Sequence, residues 1–322
     1  MKNIFASSFI LFSVFCNAQK NLDLSAYNDK SAVNVFIKEN MLRVSWPTGK
    51  NESGKLLLDL SKDKPLFKSI QLHNKEIASG LDPAFILTIG KRDLVSQNGW
   101  NIFFDKVPLK PHESYIVNFE KDSASVITKG AHTIIRISKM SAATFSGALE
   151  ITLYNGSQLF NVAAVMSTDV DSTAILYDAG LVNREKIWNT IAWSDTKKQM
   201  HYASPKEEDT ARNLEVEYRT VIGESNKGNL AIFPAPHQYF YPLDEAFNLK
   251  FTWYGNNYRN MMKGFGMGIR QKLEGDKRFV PWFNAPPGTE QRMNFFCLLS
   301  TGKAAVALNG VKQFTHGDAY VP

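Results

Sequence analysis

Apolar and polar positions alternate along much of this chain, and the spacing of three to four residues that marks a helix face is scarce. Tyr115, Val117 and Phe119 alternate with Ile116, Asn118 and Glu120. Leu149, Ile151 and Leu153 alternate with Glu150 and Thr152, and that run meets Asn155-Gly156. This dipeptide predicts a two-residue hairpin turn, because both positions tolerate positive φ. The return strand is expected over Gln158–Val165, where the unbroken apolar end points to burial on both faces. Further strands are predicted over Val33–Ile37, Leu42–Trp46, Lys55–Leu60, Phe85–Ile89, Thr133–Ile137, Ala174–Tyr177, Leu214–Val221, Asn229–Phe233, Phe247–Trp253, Met293–Leu299 and Ala304–Leu308. Short helices are expected over Glu207–Arg212 and Asn257–Lys263. Many short strands separated by glycine-bearing turns predict an all-β fold, a large β-sandwich with a few short helices.

The first residues break this pattern. Lys2 precedes an apolar stretch, Ile4 to Phe15, and a small residue, Ala18, stands where a signal peptidase would cut. The stretch is shorter than the roughly 20 residues needed to cross a bilayer, so residues 1–18 read as a secretion signal and the mature chain is expected to begin at Gln19. Attachment through a lipid on Cys16 is disfavoured by the bulky Phe15 before it. The expected location is periplasmic, outer-surface or extracellular, with no transmembrane segment. Residues 19–31 read as a loose leader and 32–322 as the sandwich body, with a subdivision near 183–206 where Trp188 and Trp193 sit among charged residues.

Removing the signal leaves Cys297 as the sole cysteine, in the apolar run Phe295 to Leu299, which predicts a buried core thiol. The formal charge of +6 falls to +5 without Lys2 and is scattered among acids, as in Lys206-Glu207-Glu208-Asp209. Such scatter does not make a phosphate-neutralising stripe, so nucleic acid is not an expected partner. None of the six histidines pairs with another at short spacing, so neither a metal nor a cofactor is expected. No Gly-x-Ser-x-Gly elbow occurs. Gly264, Gly266 and Gly268 are followed by Ile269 where a dinucleotide loop requires a further glycine, and they predict a bend with close backbone approach instead.

Aromatic, proline-stiffened segments carry the candidate chemistry. Phe233 to Asp244 holds three prolines and the rings of His237, Tyr239, Phe240 and Tyr241; Arg278 to Gln291 joins Trp282 and Phe283 to Asn284, Glu290 and Gln291. Phe251 to Arg259, with Trp253 and Tyr254, lies between them. Rings stack on the apolar faces of sugars while polar groups take the hydroxyls, so convergence of these segments would make a carbohydrate cleft. The expected substrate-binding side chains are Tyr239, Tyr241, Trp253, Tyr254, Arg270, Trp282, Asn284 and Gln291. If the cleft is catalytic, Glu290 and Asp244 are its expected acids, with His237 beside them, since glycoside hydrolysis needs two carboxylates about the scissile bond.

The runs Gly147 to Ser157 and Leu176-Tyr177-Asp178-Ala179-Gly180-Leu181 resemble the galactose-mutarotase-like "supersandwich" modules of secreted polysaccharide-degrading enzymes. Pro281 to Gln291 and Thr315-His316-Gly317-Asp318 are similar to a stretch in exported bacterial proteins that carry a following metal-dependent hydrolase module of the PHP type. The first resemblance implies a histidine and a carboxylate that match no particular residues here; the second implies metal ligands beyond Pro322. Together they predict an exported accessory sandwich that binds extracellular carbohydrate within a larger hydrolase. The alternatives are a self-contained glycoside hydrolase or polysaccharide lyase, and a structural cell-surface domain.

Overall fold

The computed structural model describes residues 21–91, 111–206, 208–235, 250–271 and 282–315. Two large sheets face each other. The first has ten strands in the order β1 (Asn21–Asp23), β9 (Asn118–Lys129), β10 (His132–Ala142), β11 (Phe145–Tyr154), β12 (Leu159–Ser167), β22 (Gln291–Ser300), β18 (Gly228–Phe233), β17 (Val221–Ser225), β14 (Thr190–Ser194) and β15 (Met200–Ala203). The second has twelve: β16 (Arg212–Leu214), β19 (Thr252–Tyr258), β20 (Met262–Arg270), β13 (Thr173–Asn183), β7 (Leu81–Lys91), β5 (Phe67–Leu72), β4 (Glu52–Asp59), β3 (Met41–Gly49) and β2 (Asn34–Lys38) along its main path, with β21 (Phe283–Asn284), β6 (Lys75–Ala78) and β8 (His112–Ile116) paired to β13, β5 and β7. All pairs are antiparallel except β1 with β9, which is formed by Asn21–Asp23 in the leader read as loose. The all-β sandwich expected from the alternation is the observed fold.

One face of each sheet supplies the core. Phe160 on β12 (Leu159–Ser167) meets Trp46 of β3 (Met41–Gly49) and Phe67 of β5 (Phe67–Leu72) at 6.4 and 6.1 Å between ring centres. Phe295 of β22 (Gln291–Ser300) meets Phe85 of β7 (Leu81–Lys91) at 6.0 Å. These tilted pairs bridge the two sheets and each adds about 0.5–1.5 kcal/mol beyond area burial. Cys297 is fully buried on β22, and burial raises its thiol well above the usual range, as the apolar run predicts.

The chain changes sheets inside two segments whose sequence reads as continuous strand. Tyr115 to Glu120 spans the end of β8 (His112–Ile116) in the second sheet and the start of β9 (Asn118–Lys129) in the first, parting at Val117. Leu214–Val221 likewise runs from β16 (Arg212–Leu214) to β17 (Val221–Ser225), and Tyr218 and Arg219 turn it with φ of 59° and 49°. Sequence alternation runs through both crossings: Tyr115, Val117 and Phe119 keep to the core in the first, and Leu214, Val216 and Val221 in the second, where Tyr218 leaves it for a separate apolar cluster.

Four local expectations are corrected. Ala304–Leu308 is not a strand but the start of α1 (Ala304–Phe314), the helix found among the described residues. Its buried positions Ala304, Ala307, Leu308 and Val311 follow helical spacing, which a five-residue window cannot display. Asn257–Lys263 is not helical: it closes the hairpin between β19 (Thr252–Tyr258) and β20 (Met262–Arg270), with Asn257, Arg259 and Asn260 at positive φ. Residues 208–211 are not helical either, and Thr210 bridges to Asn256. At Asn155-Gly156 the turn is longer than two residues. β11 (Phe145–Tyr154) and β12 are joined by residues 155–158, and only Gly156 takes positive φ, at 82°.

Candidate functional site

The outward face of the second sheet holds an ionic cluster that strand alternation alone would not place under cover. On β13 (Thr173–Asn183), Tyr177 and Ala179 point into the core, so Asp178 between them points outward. It is nevertheless only 3 % exposed. Arg259 Nη1 donates to Asp178 Oδ2 at 2.7 Å, the Gln271 amide donates to Oδ1 at 3.1 Å, and the Tyr258 hydroxyl donates to Oδ2 at 3.4 Å. Arg259 Nη2 donates to Ser114 Oγ at 2.8 Å, and Ser114 Oγ lies 2.7 Å from Thr88 Oγ1.

Local structure explains how these groups meet. Arg259 stands in the β19–β20 turn, and its left-handed backbone, φ 53°, turns the guanidinium back over the sheet. Ser114 is paired in register with Thr88, and Thr88 with Leu176, two residues before Asp178. Beyond Arg270, Gln271 accepts from the Tyr177 amide through Oε1 at 2.9 Å, and its Nε2 has no hydrogen-bond partner. Burial pushes the Tyr258 phenol well above its ordinary range, and the adjacent Asp178 carboxylate pushes it the same way.

Aromatic side chains flank the cluster. Trp282 covers Gly90, where a Cβ would collide with the indole, and packs with Ala174 and Leu176. The exposed His112 meets its edge at 6.2 Å. On the other side Trp253 is fully buried, stacked on Tyr258 at 4.1 Å and donating from Nε1 to the Ile269 carbonyl at 3.2 Å. Gly266 and Gly268 lie within strand β20 rather than at a bend. Their close approach is nonetheless present: a Cβ on Gly268 would strike the Ala179 carbonyl, and one on Gly266 would strike Trp253.

The other expected site residues separate into groups. Arg270 shares the outward face and donates from Nη1 to the Lys250 carbonyl at 3.3 Å. Asn284 pairs with Ala174 at the same end as Trp282. Tyr254 points the opposite way, into the core, between Trp193 and Phe265, with Arg212 4.8 Å over its ring. Gln291 opens β22 in the first sheet and donates to Thr289 Oγ1. Glu290, 67 % exposed, lies 4.0 Å from Arg136 on the first sheet's outer face, so it and Arg270 occupy opposite outer faces. His237, Tyr239, Tyr241 and Asp244 lie outside the described residues.

Sequence reasoning passed over Asp178, Tyr258, Arg259, Ser114 and Thr88. A signal existed for the first: Asp178 is the single charge in the otherwise apolar run Ala174 to Val182. Arg259 closes the candidate segment Phe251 to Arg259, but the short helix expected over Asn257–Lys263 gives no sign that a turn carries it over Asp178. Among the described residues no group of three His, Cys, Asp or Glu is placed to hold a metal, and no helix is long and apolar enough to cross a membrane.

No family model and no curated protein matches the sequence. Among solved structures, the chain is similar to the GH36 alpha-galactosidase AgaB from Geobacillus stearothermophilus, with a TM-score of 0.40 and 9 % identity. That match covers 87 % of this chain and 42 % of the other, so this chain spans less than half of that protein's length. At scores this low nothing of these proteins' activity passes to this chain. The same search also finds two putative aldose 1-epimerases: one from Escherichia coli K12 (TM-score 0.37, 6 % identity, 84 % and 100 % of the two chains covered) and one from Klebsiella pneumoniae (0.38, 13 %, 88 % and 86 %), so galactose-mutarotase-like folds, to which the sequence shows a resemblance, are among the chain's structural neighbours.

Proposed function

We propose that this chain is an exported accessory sandwich that binds extracellular carbohydrate on the outward face of its second sheet. The observation that carries the reading is the Asp178–Arg259 pair held under cover between Trp282 and Trp253. A buried ion pair is weak support for stability, since apolar side chains of similar volume serve as well or better. Trp253, Tyr258 and Met262 pack on that same face, so an apolar alternative was physically open to it. A fixed guanidinium suits hydroxyl recognition. Two of its five N–H donors are taken by Asp178 and Ser114, and among the described residues the others meet no acceptor, which leaves them for ligand oxygens. Export rests on the pattern of residues 1–18, and intact mass of the released chain is expected to place its first residue at Gln19.

Affinity electrophoresis of the secreted chain through gels containing a panel of plant and microbial polysaccharides tests the reading. Retardation is expected with at least one polysaccharide. Arg259→Ala should weaken it by about tenfold or more, the loss of one or more charge-assisted hydrogen bonds. Migration unaffected by every polysaccharide would overturn the reading. So would retardation identical in wild type, Arg259→Ala and Ser114→Ala.

A further inference from the structure

A second recognition site lies away from this face, where β13 ends. A cavity of about 140 Å³ is lined by Ile187, Trp188, Pro205 and Phe265, with Asn256 and Gly264 completing its wall. Arg184, Lys186 and Lys206 stand at it, together with one carboxylate, Glu185. Among the lining residues three cations stand against one acid; the Asp82 carboxylate also lies near Arg184, and Asp209 Oδ2 accepts from the Lys206 backbone amide at 2.8 Å. All four side chains are on exposed residues, and none of the three cations makes an ion pair among the described residues.

The cavity is built rather than incidental. Gly264 takes φ 94°, and a Cβ there would strike the Asn183 carbonyl. Asn183 Nδ2 donates to the Glu185 carbonyl, which fixes the loop that carries Arg184 and Lys186. Asn183 is buried, and its Oδ1 has no hydrogen-bond partner. Asn256 is anchored by donating to the Asp209 carbonyl at 3.0 Å, and Trp188 is packed against Gly223.

We infer that this cavity takes a single carboxylate-bearing sugar ring, a uronate, with the ring against Phe265 and Ile187 and the carboxylate toward Arg184, Lys186 and Lys206. The inference rests on the carbohydrate reading for the ring and on the three cations for the carboxylate. Size favours one ring over an oligomer segment, because pockets for drug-sized ligands begin at roughly 300 Å³. Charge favours an anion, because cations that make no ion pair among the described residues, beside a low-dielectric wall, attract one more strongly than they would in open water.

Titration calorimetry of the full chain with glucuronate, glucose and acetate tests it. Glucuronate is expected to bind at least about tenfold more tightly than either alternative, and the triple variant Arg184→Ala/Lys186→Ala/Lys206→Ala to lose about tenfold. Raising sodium chloride to roughly 0.5 M should weaken the wild-type interaction and leave the triple variant unchanged. Glucose binding as tightly as glucuronate, no glucuronate binding, or undiminished binding in the triple variant would each overturn the inference. Arg259→Ala separates this site from the outward face: glucuronate uptake should survive it, and a loss there would move the uronate to the Asp178 cluster. Uptake by a wild-type chain that no polysaccharide retards would sink the preceding proposal and leave this one standing.

Discussion

Each outer face of the sandwich carries a carboxylate in contact with arginine, and the two are made in different ways. On the first sheet, Glu150 is the register partner of Arg136 on the neighbouring strand, and Arg292 reaches it across β12; the bonds are 2.8 and 2.6 Å. Both guanidiniums there are more than a third exposed. On the second sheet, Asp178 is gripped by a turn arginine, a tyrosine and a backbone amide, none of them its strand-register partner. A pair made by register belongs to the sheet, and its carboxylate keeps 11 % of its surface exposed beneath two half-solvated arginines. A pair assembled from turn, strand end and neighbouring strand covers its carboxylate further, to 3 %, and leaves its single arginine 32 % exposed.

The largest test of that difference is to delete each acid. Asp178→Ala strands Arg259 over a covered face and should cost about 3 kcal/mol, the low end for breaking a buried pair because Arg259 is partly exposed. Glu150→Ala should cost less, about 1 kcal/mol, because the two arginines it leaves behind are each more than a third exposed and stay hydrated. Urea unfolding of the two variants measures both, and equal losses would erase the distinction drawn here.

Alkaline unfolding provides the next test. Tyr258 has its folded-state pKa raised above the unfolded value near 10, so its proton binding is the same in both states at lower pH. Above about pH 10 the unfolded chain releases the proton first, and stability falls as pH rises. Tyr154, on the first sheet's outer face, is shifted the same way but less, because it is less deeply buried; arginines oppose the shift at both tyrosines. Tyr258→Phe should therefore flatten the fall in stability between about pH 10 and 12 more than Tyr154→Phe does. A steeper fall in Tyr258→Phe would contradict the cause assigned to the shift.

Salt should act on one face and spare the other. Raising ionic strength to roughly 0.5 M should shrink the penalty of Glu150→Ala while leaving that of Asp178→Ala nearly unchanged. The smallest effect is expected at Glu290. Its 4.0 Å approach to Arg136 is solvated, and Glu290→Gln should leave stability within about 0.5 kcal/mol of wild type and polysaccharide retardation unaltered.

How far the sequence announces this molecule depends on the range of the interactions involved. Period-two alternation reports which side of a strand meets the core, and it revealed β3, β4, β7, β10, β11, β12 and β22 because each buries one face or both. It could not report the sheet changes at Val117 and at Tyr218-Arg219, since a crossing chain keeps its apolar side inward. It missed β20, whose glycines contribute close backbone approach instead of apolar side chains. The rings of Trp253 and Trp282 were visible by composition and do reach the outward face. Tyr254, one residue from Trp253, necessarily faces the other way in a strand. The Asp178–Arg259 pair spans 81 positions in the chain, and no local window contains both partners.

The middle of the first sheet is the seam between β12 and β22, where Asn161 donates to Asn294 Oδ1 across 133 positions at 2.8 Å. During synthesis β12 emerges long before its partner, so the ribosome must deliver the chain through Ser300 before the seam can close. Until then the nascent chain presents β12 as an open edge of nine residues, nearly all apolar, with nothing on that side to complete its ladder. Such a chain acquires its native sheet late and all at once. Timing of this kind makes any stall before residue 300 a hazard of aggregation.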